Sequence, residues 1–570
     1  MRKPRFQFST IHNFLSKFPG FCDPEKHSLA FLNSAQFLGA LNDNIYKLAL
    51  IFFLIGLLGE GNANTILSII GAVFVIPFLL FSSMAGILAD RFSKNRIVMI
   101  IKAAEIVIIL GVILAFWVKE VWGSYFLLFL LATQSAMFGP SKYGIIPELV
   151  PKTKASKANG LVTSFTYLAI ILGTFLASFL VQMTGGNYIL VGCFCLLVAV
   201  AGFISSFGIK HTPPKGSTKK IDPFFLRQIF HTLHECRKYK HLLISISASA
   251  YFLFIGAFTQ LNVIPFAIQA LDLSKEAGGY LFLAAALGIA TGAVIAGRAS
   301  KKRIELGLGC VSGLVIALSF FILGISTAHL ILAILALFIL GVAGGTFTVP
   351  FDTFIQLESP EANRGHVIAA TNFMSFVGVL LASFALYFFN ELFGLTSASS
   401  FWVMAVITLL FSIFLMIRLS DLCLSYLAKN ILFRLIPMKT EGLRLFHKAE
   451  KPLLMLEEGS WFKAWILCGI ISDLHLLIPQ HKVRRFPWFE RLFYSIHRVE
   501  SPQKFETLVS HGKVFLDEKV TPCIYLQKKK PIPDRQTSKL QSILQRRKFE
   551  VITVNFQKTG KTTTVRFKTD

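Results

Sequence analysis

Charge is scarce in this chain, and acid scarcer still. Only 15% of the 570 residues are Asp, Glu, Lys or Arg, and the 31 acidic residues face 57 basic ones, for a formal net charge of +26. So little charge beside 54% apolar residues and 57 phenylalanines excludes an ordinary soluble globule of this length. Cysteine is sparse as well. The eight are scattered, Cys193 and Cys195 lie nearest each other, and no CxxC occurs, so neither a disulfide framework nor a common zinc spacing is present. His231, His234, Glu235 and Cys236 sit close in sequence, but in a basic loop that disfavours a cation there. The opening MRKPRFQFSTIHNFLSKF lacks a long apolar core before a small-residue cleavage site, so it reads as a cytosolic lead-in rather than a cleaved signal.

Long apolar runs are what the chain has in abundance. About twelve segments of roughly 20 residues precede residue 420, each able to cross a hydrocarbon core about 30 Å thick. The expected spans lie near 28–58, 66–88, 97–117, 122–142, 159–181 and 187–209, then near 242–270, 278–298, 304–325, 329–351, 366–389 and 398–420. The implied fold class is an all-α membrane protein of twelve transmembrane helices in two six-helix halves, with a small α/β cytoplasmic C-terminal domain. The expected domains are an N-terminal segment 1–27, a first half 28–209, a basic linker 210–241, a second half 242–420 and a C-terminal domain 421–570. The loops after even-numbered spans carry about 19 Lys and Arg, against about two, Lys119 and Lys275, in the opposite loops; this bias places both termini and the linker in the cytoplasm.

The halves resemble each other. PSKYGII from Pro140 lies over PFDTFIQ from Pro350, and the small-residue run at Leu176 over that at Leu381. Such a duplication, joined by a basic loop, is a transporter architecture with its path between halves.

The first span carries FLGALNDNIYKLAL, residues 37–50. On a helical period Asn33, Gln36, Ala40, Asp43 and Lys47 form one polar stripe, while Leu38, Leu41, Ile45 and Leu48 face elsewhere. An ionised residue inside a bilayer costs several kcal/mol, so it faces protein or a watery cavity and usually marks function. Two accounts of Asp43 stay open: a ligand-binding acid, or a structural ion pair with Lys47 four residues on. Lys102 and Glu105, three apart in the third span, read as a local structural pair.

GILADRFSKNR, residues 86–96, follows the second span. It resembles the G-x-L-A-D-R-x-G-R-K loop signature of the major facilitator superfamily, with Ser93 for the second glycine and Asn95 for a basic residue. Gly86 permits close helix approach, and Asp90 can pair with a basic group or with the dipole of a neighbouring helix. Such a contact would hold the cytoplasmic side shut in one state, with Arg91, Lys94 and Arg96 completing the gating motif. The second half keeps only GRASKKR, without the acid.

The fourth span ends in ATQSAMFGPSKYGIIPELVP. With the NDN of the first span, this run resembles the lysophospholipid transporter branch of that superfamily. The resemblance implies movement of lysophospholipids, typically lysophosphatidylethanolamine, into the inner leaflet of a bacterial inner membrane. Lys142 would then pair with the phosphate and Asp43 with an ethanolamine ammonium, while Asn42, Asn44 and Gln134 supply neutral hydrogen bonds. Snorkelling of Lys142 to the headgroups is the competing account. Asp352, at the repeat position of Lys142, suggests a cross-half ion pair that breaks on substrate binding. No cofactor is implied; proton or sodium coupling is left open.

The last 150 or so residues are more polar and carry 27 basic against 14 acidic residues after Arg418, a surface suited to anionic membrane lipids rather than to nucleic acid. KTEGLRLFHKAEKPLLMLEEGSWFKAWIL, RRFPWFERLFYSIHRVE and HGKVFLDEKVTP resemble, in order, segments of the glycerolipid acyltransferase domain. Where that family has N-H-x-x-x-x-D this chain has Glu457, Glu458 and Lys463, none of its 13 histidines is followed by Asp five positions on, and Asp517, Glu518 and Lys519 replace the second motif. Without an imidazole base, acyl transfer is not expected, and the domain reads as degenerate. Arg484, Arg485 and Arg498 could bind phosphates or simply be solvated. No adenylate-forming motif follows; VITVNF and TTTVRF alternate as strands. A separate cytoplasmic acyltransferase or acyl-activating enzyme is the partner this implies. The remaining alternatives are a facilitator exporting another amphiphile or drug, a lysophospholipid acyltransferase with a transport module, and a non-transporting scaffold that recruits lipid enzymes.

Overall fold

The computed structural model describes residues 24–59, 62–217, 225–273, 275–300, 304–433, 438–449, 452–456, 461–471, 474–479, 496–499, 521–525, 550–559 and 562–569. Lys301, Lys302, Arg303, Glu457, Glu458, Arg484, Arg485 and residues 517–519 fall outside them. The chain divides into two compact units, Met1–Ile304 with Ser312–Thr408, and Glu305–Val311 with Leu409–Asp570.

Among the described residues twelve helices are long and apolar enough to cross a membrane. The first half comprises α1 (Pro24–Leu58), α2 (Ala63–Arg91), α3 (Lys94–Val118), α4 (Val121–Leu149), α5 (Ala155–Met183) and α6 (Tyr188–Phe207). A linker helix, α7 (Phe225–Cys236), precedes α8 (Leu242–Leu271), α9 (Lys275–Ala299), α10 (Leu306–Ile325), α11 (Leu330–Glu358), α12 (Arg364–Tyr387) and α13 (Ser397–Arg418). The spans expected from hydropathy are all present. Helices α4 and α11 run about two turns longer than expected, because Pro140 and Pro350 sit inside them rather than ending them. In a bundle, neighbouring helices can satisfy the backbone groups a proline frees.

Lipid is as apolar as leucine, so these helices associate through close packing of small residues and buried polar bonds. The two halves do this at matching places. A methyl group on Gly173 of α5 would lie 2.7 Å from the Leu41 carbonyl of α1, and one on Gly378 of α12 equally close to the Ala250 carbonyl of α8. The offset between the glycines agrees with the repeat read from sequence. The first half buries a continuous core around Ile45, Tyr46, Phe53, Ile109 and Leu128, with the Tyr46 hydroxyl donating to the Ser124 carbonyl at 2.9 Å. In the second half Phe401 meets Phe258, Phe266 and Phe320 at ring separations of 5.2–6.2 Å.

The other unit has its own sheet. Strands β1 (Met438–Glu441), β2 (Pro452–Leu456), β3 (Leu474–Pro479), β4 (Ile496–Val499), β5 (Thr521–Tyr525), β6 (Glu550–Thr559) and β7 (Thr562–Thr569) lie in the order β1-β7-β6-β2-β5-β3-β4. All neighbours are parallel except the β6–β7 hairpin. Leu454, Leu456, Ile552, Val554, Val565 and Phe567 form its core with Ile466, Leu467 and Cys468 of a helix at Trp461–Ile470. The expected small α/β segment is therefore present, and VITVNF and TTTVRF pair as its hairpin.

Candidate functional site

A cavity of about 370 Å³ opens between the two six-helix halves. From the first half it takes Gln36, Asp43 and Asn44 of α1, Lys102 of α3, and Gln134, Ser135 and Lys142 of α4; from the second it takes Ser249 of α8, Asp352 of α11 and Ser375 of α12. Between these polar groups lie Phe74, Phe78, Phe138, Phe252, Phe376 and Ile170, so the chamber is polar at points and apolar between them.

The stripe on α1 faces inward as its spacing requires. Gln36 donates to Asn33 Oδ1 at 3.1 Å and to the Val162 carbonyl at 3.2 Å, tying α1 to α5. Asp43 is buried; one carboxylate oxygen accepts the Ser135 hydroxyl at 2.6 Å, and the other, Oδ1, has no hydrogen-bond partner. The ion pair with Lys47 is not formed. Lys47 turns instead over the Phe74 ring, with its ammonium 5.0 Å from the centroid. Lys142 likewise makes no ion pair among the described residues, and lies over the Tyr143 ring at 4.5 Å. Asp352 accepts from Ser249 at 2.8 Å and from Thr348 at 3.2 Å, so the suggested Lys142–Asp352 pair is absent even though both groups line one cavity.

The repeat appears here as chemistry. In the first half a carboxylate on the first helix takes a serine hydroxyl from the fourth; in the second half the serine is on the first helix and the carboxylate on the fourth. Sequence comparison of the halves shows Lys142 opposite Asp352 but not this exchange of partners.

Two expected residues are placed differently. Asn42 is wholly buried behind the wall, its amide donating to Glu105 at 2.9 Å, whereas Asn44 reaches the cavity and donates to the Ala40 carbonyl. Lys102 and Glu105 form the expected pair at 2.7 Å, yet Lys102 also lines the cavity. Its polarity within an apolar span was the signal; its direction was not.

Below the cavity, toward the basic loops, the halves are joined. Asp90, at the end of α2, is wholly buried and accepts the Gly365 N–H at 2.7 Å and the His366 N–H at 3.0 Å, while His366 Nδ1 lies 2.6 Å from Oδ2. These are amides of the first turn of α12, where N–H groups have no partner within the helix and the macrodipole favours an anion. Gly86 permits the approach: a methyl there would lie 2.7 Å from the Gly365 carbonyl. On the other seam Asn159 of α5 and Gln356 of α11 exchange amide bonds of 2.9 and 2.8 Å. Of the motif's basic members, Lys94 pairs with Glu148 of its own half at 2.8 Å, Arg96 is exposed, and Arg91 stands in the last turn of α2. Asn95, standing where the signature has a basic residue, donates to the Ile209 carbonyl at 3.1 Å.

The model of the Major Facilitator Superfamily matches residues 32–383. Over 359 residues the chain is 27% identical to the lysophospholipid transporter LplT of Enterobacter sp. (strain 638), and over 354 residues 27% identical to that of Klebsiella pneumoniae (strain 342); each match covers 61% of this chain and 85% of the relative. Among solved structures, the FucP transporter in its outward conformation superposes with a TM-score of 0.58 at 13% identity, covering 69% of this chain and 99% of that one. A bacterial homologue of the iron transporter ferroportin gives 0.54, also at 13% identity, covering 69% and 98%.

Proposed function

The chain belongs to the Major Facilitator Superfamily, and from that premise we propose that it moves lysophospholipids, with lysophosphatidylethanolamine foremost, across a bacterial inner membrane to the cytoplasmic leaflet by alternating access. One observation carries the reading. A single cavity holds an acid with an unpartnered oxygen, Asp43, and an ammonium that has no counter-ion among the described residues, Lys142, with phenylalanines between them. A zwitterionic headgroup on one acyl chain matches that arrangement: its ammonium goes to Asp43, its phosphate to Lys142, and its chain to the Phe-lined walls. Gln134 and Asn44 supply neutral hydrogen bonds, and Asp352 faces the same headgroup from the second half. The 27% identity to the lysophospholipid transporters points the same way.

Asp90 on the first turn of α12 is the gate in this reading. It closes the basic-loop side, which the positive-inside bias makes cytoplasmic, and its release opens the cavity inward. The C-terminal unit is a degenerate acyltransferase-like module, without acyl transfer, whose basic surface rests on anionic lipid. Its product-consuming partner is a separate acyltransferase or acyl-activating enzyme.

The test is purified full-length protein in liposomes, given headgroup-labelled lysophosphatidylethanolamine and an acyl donor, with movement and acylation measured together. Movement without acylation is expected. Acylated product would overturn the degenerate reading, and export of a different amphiphile with no lysolipid movement would overturn the substrate.

A further inference from the structure

The cavity wall contains a second lysine whose charge is cancelled from outside it. Lys102 of α3 reaches the wall beside Gly39 of α1, where a side-chain carbon would fall on its ammonium. The ammonium is held 2.7 Å from Glu105 Oε2, one turn along the same helix. Glu105 is wholly buried and does not line the cavity. Its other oxygen accepts Asn42 Nδ2 of α1 at 2.9 Å, and Gln134 of α4 approaches Oε2 at 3.4 Å. Three helices thus fix one carboxylate behind the wall while the lysine it neutralises stands in the wall.

The charged groups lining the cavity are then Asp43, Asp352, Lys142 and Lys102, and among the described residues only Lys102 of these has an ion-pair partner. We propose that Glu105 is a positioning residue that sets headgroup selectivity: by cancelling Lys102 it leaves Lys142, among the described residues that line the cavity, as the one uncompensated cation, so the cavity takes a zwitterionic lysophospholipid in preference to an anionic one. This rests on the lysophospholipid reading above. An anionic headgroup such as phosphoglycerol brings phosphate without an ammonium, so it satisfies Lys142 but leaves Asp43 and Asp352 facing a like charge. Discrimination of this kind comes from the repulsive element as much as from the attractive one. Removing the Glu105 charge frees a second cation in the wall and relieves that repulsion.

The experiment uses the full chain in liposomes, with labelled lysophosphatidylethanolamine and lysophosphatidylglycerol in competition. Glu105→Gln, nearly the same shape, is expected to move the ratio of the two rates about tenfold toward the anionic probe, chiefly through its KM. Lys102→Gln leaves the carboxylate uncompensated and moves the ratio the other way. The double variant Lys102→Gln/Glu105→Gln returns it to the wild-type value, and if one single variant inserts poorly the other, read beside the double, still decides the question. A merely structural role lowers both rates together, so an unchanged ratio in the single variants would overturn the inference. A wild-type protein that moves neither probe would instead overturn the substrate reading on which it rests.

Discussion

Asp43 and its neighbours show how far single residues could be read in advance. The stripe of Asn33, Gln36, Ala40 and Asp43 was legible because helical period alone decides which face a residue occupies. Two details were not. Three consecutive residues, Asn42, Asp43 and Asn44, cannot share a face when each step turns about 100°, and only the packing of Glu105 on α3 determines that Asn42 is the one turned away. Lys47 has the right spacing to pair with Asp43, but its choice of the Phe74 ring depends on how the next helix, α2, packs against α1. The distinction is measurable. Asp43→Asn and Lys142→Ala each remove a charge-assisted contact contributing about 1.5–3 kcal/mol, so lysolipid affinity should fall about 10- to 100-fold with membrane insertion intact. Asn42→Ala leaves a buried Glu105 oxygen unpaired, and should cost about 1–3 kcal/mol of stability, read as a lower melting temperature, with a smaller effect on affinity than Asp43→Asn. Wild-type transport by the Asp43 and Lys142 variants would remove both from the site.

At the level of elements, the end of α2 was the most legible feature and the sheet the least. GILADRFSKNR announced a helix end with an acid able to pair with a basic group or with a helix dipole, and Asp90 meets the first-turn amides of α12; no sequence feature named His366 as the third contact. Asp90→Asn keeps the shape but removes the charge from the dipole and from His366, weakening closure by about 1–2 kcal/mol. A cysteine placed at Thr371 on the cavity wall should then react about 5- to 30-fold faster with an impermeant maleimide added from the basic-loop side. An unchanged rate would mean that Asp90 does not bias the gate. In the sheet, β6 and β7 alternate over Val554–Gln557 and Val565–Lys568 and pair as a hairpin, whereas the short apolar run of β2 reads equally as a buried helix segment. The helix at Trp461–Ile470 makes that unit's core testable. Burial, with Asp421 nearby, pushes the Cys468 thiol up to about 12, so little thiolate exists at neutral or mildly alkaline pH. Its alkylation should be ~1,000-fold slower than that of a free thiol until the unit is unfolded; rapid labelling of the native protein would contradict the core described.

Across the whole six-plus-six bundle, the repeat was readable and the role of the segment joining its halves was not. Residues 210–241 look in sequence like a plain basic linker. In the fold its described residues, 210–217 and 225–241, touch both halves on the basic-loop side. His211 Nδ1 lies 3.2 Å from Asn95 Oδ1, and the Ser217 N–H donates to the Asp90 carbonyl at 3.4 Å, both on the first half. Lys215 pairs with Glu361 of the second half at 3.3 Å. Helix α7 then lies along the seam: Gln228 accepts the Ser83 hydroxyl of α2 at 2.6 Å, the Phe225 ring meets Phe373 of α12 edge to face at 6.2 Å, and Leu233 packs against the buried cluster of Cys236, Leu242, Ile246, Ile355 and Val367. Leu226 and Phe230 remain exposed beside Arg227, the arrangement of an amphipathic helix lying at a membrane interface. On the alternating-access reading proposed above, a segment bonded to both halves cannot keep all these contacts when the seam opens. The α2 contact is the one a covalent bond can hold. In a variant lacking the native cysteines, Ser83→Cys with Gln228→Cys should form a disulfide under mild oxidant, transport of the lysolipid probe should fall to background, and reduction should restore it, while either single cysteine transports throughout. Full transport by the linked protein would show that α7 moves with α2 as one body and plays no part in closure.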